Sequence, residues 1–140
     1  MEANELMIGD LVLKDEEYIK VTDIYENNGV YYLNDDTTPI TSIKPIPLIP
    51  EILEKNGFDK FLGLGQFFCK YIKTQEISIM IDVLFCKDSH IVVDIEKQSF
   101  VEGTRNSLHS CDIQSLHELQ CALRLCRLNE FADDFKIEKV

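Results

Sequence analysis

Residues 112–128 read DIQSLHELQCALRLCRL, from Asp112 to Leu128, and their periodicity decides the fold. Leu116, Leu119, Leu123 and Cys126 recur at three- and four-residue spacing, so they fall on one face of a helix, and Ala122 widens the stripe. Ser115 followed three residues later by Glu118 has the form of a capping box. In that motif the hydroxyl accepts from the N–H of Glu118 while the carboxylate reaches back to the N–H of Ser115. Arg124 and Arg127 oppose the negative pole of the helix dipole at the far end. An amphipathic helix must cover something, and the nearest candidate is a sheet expected immediately upstream.

That sheet is read from alternation. Ile77, Ile79, Ile81, Val83 and Phe85 point one way, and Ser78, Met80, Asp82, Leu84 and Cys86 point the other. Ile91, Val93 and Ile95 repeat the apolar face after the turn Lys87-Asp88-Ser89. Phe67, Cys69 and Tyr71 supply a preceding strand and Ser99 to Glu102 a short following one. Gly103-Thr104-Arg105-Asn106 reads as a loop, and Phe61-Leu-Gly-Leu-Gly65 as a turn.

Earlier in the chain, Ile8 to Leu13, Tyr18 to Ile24 and Val30 to Leu33 are short Val-, Ile- and Tyr-rich segments separated by turn-prone residues, which predicts a β meander. IGDLV, VTDI and ITSIKPIPL together are similar to the entry strands of SH3-like barrels. Pro45, Pro47 and Pro50 keep the connector extended up to a short helix that begins at Pro50 and ends at Asn56-Gly57 in left-handed conformation. The expected architecture is one α+β domain over residues 1–140. An N-terminal β meander (1–47) leads through a connector helix (48–58) to an antiparallel sheet covered by one C-terminal helix (59–140).

The middle segment IPLIPEILEKNGF and the terminal LHELQCALRL, with the opening Gly9-Asp10-Leu11-Val12, resemble a group of small uncharacterised proteins from phages and mobile elements of gut bacteria. Those proteins share a "GxxV" opening, an "IPLTPEILEKNGF"-like middle and a "VHELQNALxL"-like terminal helix. The likeness runs through most of the chain and implies origin and a compact α+β fold, and it carries no catalytic residue across. This chain departs from the pattern at Cys121, where Asn is common, and in a longer tail, LNEFADDFKIEKV.

Composition narrows the function classes. With 45% hydrophobic residues over 140 positions, a real core is expected. The net charge of −11 argues against direct nucleic-acid binding, because phosphate contacts need a basic surface. The acidity is concentrated: residues 1–36 carry ten acids against Lys14 and Lys20, a balance of −8. No membrane-length apolar run or secretory leader is evident, so the expected compartment is the cytoplasm, where the five cysteines stay reduced. No cofactor motif appears, and the expected partners are a host protein or a small anionic ligand.

Three constellations could carry chemistry. Opposed residues of an antiparallel pair share a face, so the apolar sets place Asp82 opposite Asp94, or opposite Glu96 if the turn slips by one. With His90 the two aspartates form a candidate acidic site for a metal-assisted hydrolase. The same rule sets Lys70 opposite Met80, diagonal to Asp82, as a neutralising cation. His109, Cys111, His117 and Cys121 are a candidate zinc set by donor type, although their spacing matches no zinc finger and HELQC lacks the second histidine of HExxH. Lys70, Tyr71, Lys73, Arg105 and Asn106 form a candidate site for a small anion. The reading that joins these observations is a small binding protein without catalysis, of phage or mobile-element type. Its expected role is counter-defence, by binding a host protein or sequestering a small nucleotide signal, with a purely structural module as a further alternative.

Overall fold

A computed structural model describes residues 1, 3–34, 38–61, 66–73, 75–99 and 102–137. The turn expected at 62–65 and the middle of the short strand expected at 99–102 lie outside those residues. Strands β1 (Leu11–Lys14), β2 (Glu17–Lys20), β3 (Ile24–Asn27), β4 (Val30–Leu33) and β5 (Ile43–Lys44) precede helix α1 (Pro50–Lys55). Then come β6 (Asp59–Phe61), β7 (Gln66–Lys73), β8 (Ile77–Phe85), β9 (Ile91–Ser99) and β10 (Thr104–Ile113), with helices α2 (Leu116–Leu125) and α3 (Asn129–Asp133) last. The class is α+β, with small antiparallel sheets at the N-terminus, a five-stranded antiparallel meander and a C-terminal helix. Among the described residues no helix is long and apolar enough to cross a membrane.

The chain forms two compact units. One comprises Met1–Leu48, Ser115–Arg124 and Leu128–Val140; the other comprises Ile49–Gln114 and Leu125–Arg127. In the first, the N-terminal strands are divided between a three-stranded sheet ordered β2-β1-β5 and a separate β3-β4 ribbon, so the meander does not run as one sheet. Leu6, Val12, Val21, Leu33, Ile40 and Ile43 make its core cluster.

Helix α2 is tied into this unit by polar groups as well as leucines. Leu116, Leu119 and Leu123 are fully buried, and so is Gln120 on the same helix. The Gln120 carboxamide accepts from the N–H of Leu11 at 2.9 Å and donates to the carbonyls of Gly9 at 3.2 Å and Ala132 at 3.0 Å. One turn on, Arg124 donates to both Asp10 and Asp133. Asp10 is wholly buried and also accepts from the N–H of Met7 at 2.8 Å. Gly9 has no room for a side chain: at φ +97°, an added Cβ would lie 2.5 Å from Asp133 Oδ1 and 2.8 Å from Arg124 Nη2.

The ends of the helices follow local chemistry. Around α1, the N–H of Phe58 reaches the carbonyl of Leu53 and that of Gly57 reaches Glu54, the paired bonds of a Schellman stop. Helix α2 stops similarly, with Leu128 N–H on Leu123 O, but there the left-handed residue is Arg127 at φ +63°. Cys126 therefore lies beyond the last helical residue instead of on the expected stripe. At the start of α2 the Ser115–Glu118 pair meets through side chains, the hydroxyl donating to Glu118 Oε1 at 2.8 Å. With its proton so committed, Ser115 Oγ accepts from His117 Nδ1, 3.0 Å away.

Emptying the Leu119 site should cost about 2–5 kcal/mol in Leu119→Ala, the range for a core leucine. Arg124→Met should lose a similar 3–5 kcal/mol or so, because it strands the buried Asp10 charge, and adding Asp10→Asn should recover part of the loss. Urea unfolding of the single and double variants measures both; additive losses would show that Arg124 and Asp10 do not act as a pair.

Candidate functional site

Register decides which side chains meet on the five-stranded sheet, ordered β10-β9-β8-β7-β6. Val83 opposes Val93 and Ile81 opposes Ile95, all four fully buried, so the odd-numbered residues of β8 and β9 line the apolar face as expected. The turn after β8 holds Cys86 opposite His90 through an N–H to carbonyl bond of 2.8 Å. Asp82 consequently opposes Asp94.

On β7 the expected register fails by one residue. Tyr71, not Lys70, opposes Met80, and Cys69 opposes Asp82. The physical reason is Phe68, which is fully buried opposite Val83 and takes the apolar face for the even-numbered residues of this strand. Lys70 therefore sits opposite Ile81 on that same face and cannot neutralise the aspartates across the strand pair. Strand β10 also departs from expectation, since Thr104–Asn106 begin a ten-residue strand instead of a loop. A bulge between Ser107 and His109 shifts its phase, so Arg105 and Ser107 share the polar face with Ser110 and Asp112.

The polar face thus carries transverse rows. One runs Asp59, Cys69, Asp82, Asp94, Ser110 across all five strands. The next runs Tyr71, Met80, Glu96, Ser107, and a third brings Lys73, Ser78, Gln98 and Arg105 together. Between the second and third rows lies a groove of about 180 Å³, lined by Tyr71, Ser78, Met80, Glu96, Gln98 and Arg105. The guanidinium of Arg105 is fixed by Glu96 at 2.5 Å yet stays 62% exposed, and Lys73 Nζ lies 5.5 Å from the centre of the Tyr71 ring.

Of the five residues expected to bind an anion, Tyr71, Lys73 and Arg105 come together here. Lys70 and Asn106 lie on the opposite face, Asn106 opposite Lys97. Sequence reasoning missed Ser78, Met80, Glu96 and Gln98, although the even-numbered phase of the two alternating strands already grouped them. Gly103-Thr104-Arg105-Asn106 reads as a loop, so nothing in the sequence attaches Arg105 to the same rows.

Burial is the main cause that pushes the Asp82 carboxyl above its ordinary value; the Cys69 hydrogen bond opposes it, and the charges of Asp94 and Glu96 add to it. Among the described residues, Asp82 Oδ1 is a buried oxygen with no hydrogen-bond partner. Burial, then the hydrogen bond to Asp82, drives the Cys69 thiol up to about 12, so it stays protonated and a poor nucleophile at neutral pH. His90 does not join the aspartates. It lies four residues from Asp94, on the order of 13 Å along the strand, with its exposed ring 3.9 Å from Asp88.

The zinc set is not assembled either. His109 and Cys111 are on β10, while His117 is buried on α2 with its Nδ1 engaged by Ser115. No group of three or more His, Cys, Asp or Glu among the described residues is placed to hold a metal ion. All five cysteines are free thiols. No protein-family model matches the chain, and neither a curated protein nor a solved structure does.

An acid whose pKa is raised by folding binds its proton more tightly in the native state. Its stabilising contribution is therefore full below the unfolded value near 3.8 and is lost as pH rises through the folded value. Asp82→Asn keeps the shape of the protonated form, so at pH 7 the variant should equal or exceed the parent in stability. The difference should close below pH 3.8. Thermal melts from pH 3 to pH 8 test this, and a variant less stable at pH 7 would show that the carboxylate charge is needed.

Proposed function

We propose that this protein is a small binding protein, working without catalysis, whose ligand surface is the polar face of the five-stranded sheet. The observation that carries the reading is the convergence of Tyr71, Lys73 and Arg105 at the groove. An exposed aromatic ring offers a stacking platform, and a guanidinium held by Glu96 is oriented before a ligand arrives. Ser78 and Gln98 add a hydroxyl and a carboxamide that can read the edge of a planar heterocycle. A cavity of this size suits a nucleobase, with a phosphate reaching the exposed cations.

The ligand class we assign is a small nucleotide. The resemblance to proteins of phages and mobile elements supports counter-defence by sequestering a nucleotide signal as the setting. Binding of a host protein is the other reading, and it has no comparable constellation behind it on this face.

Thermal shift against mononucleotides and cyclic dinucleotides tests the assignment. A ligand present at a hundred times its Kd should stabilise the fold by about 2.7 kcal/mol. Tyr71→Leu and Arg105→Ala should each reduce the shift while leaving the ligand-free melting temperature nearly unchanged, as both side chains are exposed. If no nucleotide at millimolar concentration moves the melting temperature, the small-ligand assignment fails.

A further inference from the structure

The dipeptide Asn-Gly occurs at Asn28-Gly29 and again at Asn56-Gly57, and the fold treats the two sites differently. By covalent chemistry they are alike. A glycine nitrogen is unhindered by a side chain, so it can attack the carboxamide carbon of a preceding asparagine, which is why asparagine is thermolabile. What separates the sites is whether the peptide unit between the two residues can turn into line for the attack.

Asn28 and Gly29 form the two-residue tip of the β3-β4 hairpin, between the opposed residues Asn27 and Val30. Their φ angles, +52° and +80°, are both positive, as the turn of such a hairpin requires. Both residues are exposed, and a Cβ added at Gly29 would meet nothing within 4 Å. Among the described residues no hydrogen bond holds the Asn28 carboxamide or the Gly29 N–H. Asn56-Gly57 is held from several sides instead. Asn56 Nδ2 donates to the Ile52 carbonyl at 2.7 Å and its N–H to the Leu53 carbonyl at 3.0 Å. The Gly57 N–H donates to the Glu54 carbonyl at 3.2 Å, and Lys70 Nζ lies 2.6 Å from where a Gly57 Cβ would stand. Nucleophile and carboxamide are both engaged there until the stop of α1 opens.

We infer that Asn28-Gly29 is a site of spontaneous deamidation in the folded protein, while the stop of α1 keeps Asn56-Gly57 unreactive. The Gly29 nitrogen bonds to Asn28 Cγ, the Cγ–Nδ2 bond breaks, and ammonia leaves with the proton that the Gly29 nitrogen gives up. Water then opens the cyclic imide. Opening at Cγ leaves aspartate; opening at the former main-chain carbonyl leaves isoaspartate, with an added methylene in the backbone. Either product brings a further negative charge to the acidic N-terminal stretch, and isoaspartate lengthens the loop that sets Asn27 opposite Val30. Nothing in this rests on the sheet groove.

The test incubates the full chain at mildly alkaline pH, native and in unfolding urea, and follows each asparagine by mass-spectrometric peptide mapping that resolves isoaspartate. In the native protein Asn28 should convert at least about tenfold faster than Asn56, the factor expected when the hydrogen bonds of a helix stop must open first. In urea the two rates should converge, since glycine follows both asparagines. Asn28→Gly, which suits the turn, should abolish the fast release of ammonia. Equal rates at the two sites in the native protein overturn the proposal. So does fast ammonia release that persists in Asn28→Gly.

Discussion

A single buried carboxamide holds the two ends of this chain together. Gln120 is fully buried and spends all of its polar atoms on backbone groups, one N–H from β1 and two carbonyls. Buried polar groups are costly unless paired, so the carboxamide and its three partners stabilise one another only as a set. Beside it, Arg124 joins Asp10 to Asp133 and leaves no space for a side chain at Gly9. The leucines of α2 supply apolar burial, which is non-directional; the Gln120 and Arg124 contacts fix the rotation and height of the helix.

The sheet shows a different constraint. Its apolar face is filled by Phe68, Ile81, Val83, Val93 and Ile95, and satisfying that face dictates what collects on the other. Asp82 and Asp94 oppose each other because Val83 and Val93 do. Burial and mutual repulsion then raise the Asp82 carboxyl, while the thiol of Cys69 is held protonated by the same surroundings. The groove one row along draws its polarity from residues of the same phase, with Arg105 contributed from β10.

Much of this was legible in the sequence where periodicity was unambiguous. The alternation of β8 and β9 fixed their pairing, and the Pro50 and Asn56-Gly57 signals bounded α1. Periodicity misleads at β7, where Phe67, Phe68 and Cys69 are consecutive and apolar: the odd phase sets Lys70 opposite Met80, whereas the buried Phe68 selects the even one. Strand β10, TRNSLHSCDI, is an exposed edge with few apolar residues, and its bulge breaks whatever alternation it has. The N-terminal partners of Gln120 and Arg124, Gly9, Asp10 and Leu11, left no local trace at all, since they lie more than a hundred residues away.

The unit built around Gln120 is discontinuous in sequence, and this has a consequence for synthesis. Leu11 and Gln120 are 109 residues apart, so at about 5–20 residues per second the early strands wait on the order of ten seconds for their closing partner. During that interval the ribosome makes every residue of the five-stranded sheet, in which each strand pairs with its neighbours in the chain. The early strands of this unit are thus the last to be completed, with the Asp10 carboxylate hydrated until Arg124 arrives. The strong acidity of the first 36 residues keeps that waiting segment dispersed in water.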